Sequence, residues 1–297
     1  MRRVKLELCY DGSNYAGWQV QPKQPNVKTI QGELEKAAER VVGERVEVLG
    51  SGRTDAGVHA LYQVAAFSTA SALPPETLAR ALNAFLPRDI RIWRATEADL
   101  DFHPIRDVLR KRYRYLASDS RPAFPFFRRN VWNLLQRTDV ESMREAASFL
   151  MGTRDFSAFQ TIGSPRKTTV RTIYDVRVER LTLDQALTFP KLIAQRNSNE
   201  RNSNERNSNE RTSAHVGANS PFIEEPGLIS FEVEADGFLY NMVRAIVGTL
   251  YMFGQRHKGF ENPETMERIV ERADRKLAGP TAPPHGLYMI DVVYPND

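Results

Sequence analysis

Val4-Lys-Leu-Glu-Leu-Cys-Tyr10, running into Asp11-Gly12, sets an apolar side chain on every second residue and stops at a turn pair. That is the pattern of a strand with one buried face, because successive side chains of an extended chain project to opposite sides. Further along, Ile30, Leu34, Ala37, Ala38 and Val41 recur at helical spacing, with Thr29 placed to cap the first turn and Gly43 just past the last. Short strands are predicted over 45–49 and 63–67, a helix opens at Pro75 with Leu78, Leu82 and Phe85 on one face, and a strand follows over 90–95. The order β-α-β-β-α-β is the split βαβ arrangement, a sheet with helices packed on one face.

The second half repeats that order. A strand is predicted over 111–117, then a helix with the capping box Thr138-x-x-Glu141 and apolar Met143, Ala146, Ala147 and Leu150, closed by Gly152. Strands over 172–178 and 229–235 precede a helix over 238–253 and another opened by Asn262-Pro263, which carries Met266, Ile269, Val270 and Ala273. Tyr288, Ile290, Val292 and Tyr294 alternate in a last strand. The halves share topology rather than residue identity. The expectation is an α+β protein of two similar ferredoxin-like or RRM-like halves, 1–105 and 106–297, with mainly antiparallel sheets.

One segment departs from this pattern: Arg196-Asn-Ser-Asn-Glu recurs three times and ends at Arg211. It has no apolar residue to bury and cannot offset the entropy of being ordered, so 182–227 is read as a low-complexity, disordered insertion. A tolerated surface insertion is favoured over an RNA-binding element.

The 297 residues, 41% hydrophobic and 26% charged, have the balance of a soluble globular protein able to bury a sizeable core. A formal net charge of +4 permits an acidic partner without demanding one. A single cysteine, Cys9, makes no internal disulfide and fits a reducing, cytoplasmic setting. Lys5 and Glu7 interrupt any apolar run behind Arg2 and Arg3, so no export signal is expected. Nor does any window approach the roughly 20 apolar residues of a membrane span.

The densest unusual stretch is Gly50-Ser-Gly-Arg-Thr-Asp-Ala-Gly-Val-His59, where glycines let the backbone turn sharply and a ligand come close. Taken alone, an aspartate in such a loop is more often a turn residue than a catalyst. A second feature is Arg110-Lys-Arg-Tyr-Arg-Tyr115, whose strand period sends Arg110, Arg112 and Arg114 to one face and Lys111, Tyr113 and Tyr115 to the other. A cationic groove beside aromatic platforms suits unpaired nucleotides, while a solvated face over core tyrosines fits the composition equally. Arg244 sits inside the apolar run 238–248, which predicts partial burial and a carboxylate partner. There is no P-loop and no well-placed dinucleotide motif, and the histidines at 59, 103, 215, 257 and 285 lack ligand spacing, which indicates a reaction without metal or nucleotide cofactor. His59 and His103 stay open as acid-base residues, with packing or capping roles favoured.

Gly52-Arg-Thr-Asp-Ala-Gly-Val-His-Ala60 resembles the signature motif of the TruA family of tRNA pseudouridine synthases. The similarity continues through Tyr10-Asp-Gly, Gly17-Trp18-Gln19, Gln31-Gly-Glu-Leu-Glu35, 83–89, Lys111-Arg-Tyr-Arg-Tyr115, Asp155-Phe-Ser-Ala-Phe159, 238–248 and Gly286-Leu-Tyr288, excepting roughly 182–227. It implies that Asp55 is the essential aspartate, Arg53 assists in flipping the nucleotide, Tyr113 stacks on the target base and Arg244 pairs with Asp55. It further implies a homodimer, an RNA-binding cleft on the sheet faces opposite the helices, and uridines 38 to 40 of the tRNA anticodon stem-loop as substrates. Related sequences usually read Phe-His-Ala-Arg where this chain has Phe102-His-Pro-Ile105, leaving Arg106 as the nearest cation.

Such an isomerisation moves the uracil attachment from N1 to C5, oxidises nothing and asks for no redox cofactor. It asks for an ionised carboxylate, as nucleophile or as base, and for extrusion of the base from its stack at a cost of a few kcal/mol. Arg244 nearby is expected to favour the charged form of Asp55. A non-catalytic RNA-binding module or RNA chaperone fits the duplicated sheet and basic strand, and intact Asp55, Tyr113 and Arg244 argue against it. A hydrolase would want a metal cluster or a paired acid and base, and neither is visible.

Overall fold

A computed structural model describes residues 1–120, 125–134, 136–161, 168–182, 185 and 227–295. Strand β1, Arg2–Tyr10, buries Val4, Leu6, Leu8 and Tyr10 on one side, as the alternation requires. Helix α1, Ile30–Val42, starts where the Thr29 hydroxyl accepts from the Gly32 N–H at 3.2 Å and ends where Gly43 turns left-handed at φ 75°. Strands β2 (Leu49–Gly50) and β3 (His59–Thr69), helix α2 (Pro75–Phe85) and strand β4 (Ile90–Ala98) complete the first half. Its strand order is β4-β1-β3-β2, every neighbouring pair antiparallel.

The second half runs β5 (Arg110–Ser118), β6 (Trp132–Asn133), α3 (Val140–Ser148), β7 (Gly152–Asp155), β8 (Val170–Leu181), β9 (Leu228–Ala235), α4 (Met242–Gly254), α5 (Thr265–Arg272) and β10 (Leu287–Val293). Its central strands order as β10-β5-β9-β8, again antiparallel throughout, which is the first half's order with later members substituted. The two sets merge into one ten-stranded sheet where β10 runs parallel to β3, pairing Tyr288 with His59 and Met289 with Ala60. That seam fixes the site, because His59 directly follows the glycine-rich loop and β10 belongs to the other half.

Three local expectations are corrected. Helix α3 is capped by Asp139, whose carboxylate accepts from the Ser142 N–H at 3.2 Å, rather than by Thr138. The Thr138 hydroxyl donates to the Gln136 carbonyl at 3.0 Å, leaving the Asp139 carboxylate to cap. The helix also stops at Ser148, and Gly152, at φ 93°, opens β7 instead of closing α3. Helix α4 begins at Met242, four residues after Phe238, because Asn241 takes a left-handed conformation at φ 61° that no α-helical turn can contain.

The interior of the predicted disordered insertion, including every copy of the Arg-Asn-Ser-Asn-Glu repeat, lies outside the described residues. Its flanks are joined, since Leu181 pairs with Leu228 across β8 and β9. Beneath this junction the Asp119 side chain is 0% exposed and takes both terminal nitrogens of Arg180, at 2.9 and 2.7 Å, plus the Thr138 N–H at 3.0 Å. Asp119→Ala leaves the Thr138 N–H without its acceptor and the Arg180 guanidinium with only the Thr138 carbonyl, at 2.9 Å, and is expected to cost about 2–4 kcal/mol in urea unfolding. A loss under about 0.5 kcal/mol would show that the clasp is idle. Deleting 196–211, by contrast, should leave the melting temperature and turnover unchanged, because loop-closure entropy varies only slowly with length. A fall of several degrees would refute that. Among the described residues no helix is long and apolar enough to cross a membrane.

Candidate active site

The loop between β2 and β3 is held from several directions. The buried Ser51 donates its N–H to the Val64 carbonyl at 2.7 Å, and the buried Gln63 amide donates to the Gly52 carbonyl at 3.0 Å. From the other half Lys111 donates to the Ser51 carbonyl at 2.5 Å. Thr54 is pinned twice, by Trp18 N–H to its carbonyl at 3.0 Å and by its hydroxyl beside Tyr10 OH at 2.9 Å. A Val58 N–H to Asp55 carbonyl bond of 3.1 Å closes the turn, with Gly57 at φ 77°. The Asp55 side chain is thus presented on a rigid hairpin rather than a loose loop.

His59 fastens the loop's exit. Its Nε2 lies 3.1 Å from the His285 carbonyl oxygen, its Nδ1 sits 3.1 Å from the Gly12 nitrogen and 3.0 Å from Asp11 Oδ1, and its ring stacks on Tyr288 at 4.8 Å. With 1% exposure it packs and caps, as expected.

Across the seam, Arg244 on the first turn of α4 faces Asp55, with Nη1 3.4 Å from Oδ2 and side-chain exposures of 15% and 25%. The guanidinium is held more tightly by neutral acceptors, Nε donating to the Ala282 carbonyl at 2.7 Å and Nη1 to the Asn241 amide oxygen at 2.7 Å. Among the described residues nothing donates to Asp55 Oδ1, so one carboxylate oxygen is paired and the other is open. Burial raises the Asp55 pKa above its usual range, and Arg244 opposes that shift without overcoming it. Arg244 thus favours the charged form, as expected, while desolvation is the larger and opposing effect beside an ion pair that is long and single.

Tyr113 lies on β5 opposite Met289 of β10, 7% exposed, with the Phe238 ring edge-on at 5.0 Å. A methyl group at Gly52 would fall 3.4 Å from Met289 Cε and 3.2 Å from Lys111 Nζ, which places β5 against the loop. Arg53 is exposed on the loop and makes no ion pair among the described residues.

The predicted cationic face of β5 is not a groove of unpaired charge. Arg112 pairs with Glu234 at 2.8 Å, Asp175 at 3.2 Å and Glu232 at 3.3 Å, while Arg114 pairs with Glu232 at 2.5 Å and Arg110 with Glu234 at 3.2 Å. Three carboxylates from β8 and β9 neutralise three arginines. Arg112→Gln is accordingly expected to lower stability by about 1–3 kcal/mol while leaving the salt dependence of tRNA binding unchanged. A slope smaller by about one would return Arg112 to the phosphate contacts. Arg106, beside the exposed Ile105, is likewise engaged locally, with Asp107 at 2.6 Å and the Asp101 carbonyl at 2.6 Å.

Sequence reading missed the residues that hold the site together: Tyr10, Gly12, Trp18, Gln63 and Asn241. Tyr10 and Gly12 were read only as the end of a strand and its turn, Trp18 stood in a quoted motif with no role attached, and Asn241 was distinguishable only as a polar residue at the head of an apolar helix.

A model of the tRNA pseudouridine synthase family matches residues 9–105 and 146–295. Proteins called tRNA pseudouridine synthase A are similar along their whole length. The one from Acetivibrio thermocellus is 41% identical over 294 residues, 99% of this chain and 100% of the relative. That from Syntrophomonas wolfei is 37% identical over 297 residues, 100% of this chain and 99% of the relative. A rigidly presented carboxylate, a seam joining two split-βαβ halves and full-length similarity lead to one conclusion: the chain belongs to the tRNA pseudouridine synthase family and is an isomerase that makes pseudouridine in tRNA.

Proposed function

We propose that the chain isomerises uridines 38 to 40 of the tRNA anticodon stem-loop, with Asp55 as the catalytic carboxylate. The observation that carries this is the half-paired state of Asp55: Oδ2 faces Arg244 at 3.4 Å, while nothing among the described residues donates to Oδ1. Both routes available to a carboxylate, attack on the sugar or base and removal of a sugar proton, use an electron pair on an oxygen that no other described residue engages. Arg244 steadies the charge before reaction and receives it again afterwards. Tyr113 supplies a ring for the extruded base, and Arg53, exposed on the same loop, occupies space the base vacates or contacts its phosphate. The halves 1–105 and 106–297 then contribute the carboxylate and its partners respectively, across the β3–β10 seam. Two copies are proposed to form a cytoplasmic homodimer.

The test is tritium release from tRNA carrying 5-tritiated uridine, since C5 must lose its hydrogen as the new bond forms, followed by mapping of pseudouridine in tRNA from cells with and without the protein. Loss of modification confined to 38 to 40 is the expected result. Modification lost elsewhere with those sites intact would refute the anticodon assignment.

A further inference from the structure

Three non-glycine residues among those described have positive φ: Asn241, Arg256 and Ala273. Arg256 and Ala273 follow the ends of α4 and α5, where a left-handed residue commonly terminates a helix. Asn241 instead precedes a helix, where its backbone should be extended and its side-chain oxygen should accept a hydrogen bond from the first turn. It does neither, taking φ 61° and making no side-chain cap bond. The conformation costs on the order of 1–3 kcal/mol and the forgone cap about 1 kcal/mol more, so something else must use the amide.

Both ends of that amide are engaged. Its oxygen accepts from Arg244 Nη1 at 2.7 Å, and its nitrogen donates to the Thr161 hydroxyl at 3.0 Å. The peptide is held too, since the Thr161 N–H donates to the Tyr240 carbonyl at 3.2 Å. Arg244 thus has two short bonds to neutral, fixed acceptors and one long bond to Asp55.

We propose that Asn241, anchored by Thr161, is a positioning residue that keeps the Arg244 guanidinium at single-contact distance from Asp55 and prevents a bidentate pair. A bidentate pair would occupy both carboxylate oxygens and hold the electron pair that must move. A fixed donor near a changing charge also needs no rearrangement as the reaction proceeds. This inference rests on the reading of Asp55 as the catalytic group.

Asn241→Gly separates the two roles, because glycine takes the left-handed backbone without strain while deleting the amide. The expected result is a melting temperature within a few degrees of wild type, tRNA affinity within twofold, and a single-turnover rate at saturating tRNA lower by about tenfold or more. Thr161→Val should reduce the same rate and Thr161→Ser restore it, with no change at the backbone. A fall of less than threefold in Asn241→Gly, or equal rates in Thr161→Val and Thr161→Ser, overturns the proposal. Asp55→Asn run alongside keeps the two failures apart: an active Asp55→Asn enzyme sinks the underlying reading, whereas a dead one beside a fully active Asn241→Gly sinks only the positioning role.

Discussion

Asp55→Asn is expected to abolish pseudouridine formation, a loss of at least about 10²–10⁴-fold, while tRNA affinity stays within severalfold and the melting temperature holds or rises. The amide has the carboxylate's shape, so the hairpin and its hydrogen bonds to Trp18, Tyr10 and Lys111 are undisturbed. What disappears is the charge and the basic oxygen. The stability sign follows from burial, which raises the folded pKa of Asp55 despite Arg244. Ionised Asp55 is therefore less favourable in the folded chain than in the unfolded one. That penalty is absent below the unfolded carboxyl range and develops as pH rises through the folded value. Removing it by substitution gains stability at neutral pH and nothing at low pH. Calorimetry at two pH values, together with tritium release, checks both halves. Turnover in the variant would end the catalytic assignment. A marked drop in melting temperature at neutral pH would show that the Arg244 pair outweighs desolvation. By the same shift, the acid limb of the wild-type rate profile should lie above the ordinary aspartate range.

Much of this fold was legible because its signals are local. Thr29 and Gly43 bound α1 through contacts with residues three or four positions away, and the alternation from Val4 to Tyr10 needs no distant information. The shared β-α-β-β-α-β order reappears as two sets of strands with one strand order, merged into a single sheet. What the sequence concealed is long-range. The merging of the sheets depends on two paired residues in β10 and β3, more than 200 positions apart, too short a ladder to leave a pattern. The arginines of β5 left a nucleotide-binding groove and a solvated face equally open because Glu232 and Glu234, their partners, lie about 120 positions later. The burial of Asp55 was hidden for a related reason. A charge partner can be inferred from a motif, but the dielectric around it is assembled from both halves.

Gly12→Ala is expected to lower single-turnover isomerisation by about 100-fold with tRNA affinity nearly intact, although Gly12 touches no substrate. A Cβ at that position would overlap the Val58 carbonyl oxygen and lie 2.7 Å from the carbonyl carbon. Backbone rather than a flexible side chain is in the way, so the β3 entry, its His59 contact to Gly12 N–H and the turn closed by Val58 N–H to Asp55 must shift together. A displacement near 1 Å of a positioned catalytic group costs on the order of 10²-fold in rate. Gly43→Ala provides the contrast. Its φ of 75° strains an alanine, yet nothing lies within 4 Å of the added carbon, so it should lose about 1 kcal/mol of stability and no turnover at saturating tRNA. If the two variants lost turnover equally, the rate would be following global stability rather than the placement of Asp55. If Gly12→Ala stayed fully active, the hairpin would not be set by the turn after β1. The Asp11-Gly12 pair that ends the first strand is thus more than punctuation: the missing side chain 46 positions upstream of Val58 leaves the room in which the loop bearing Asp55 is seated.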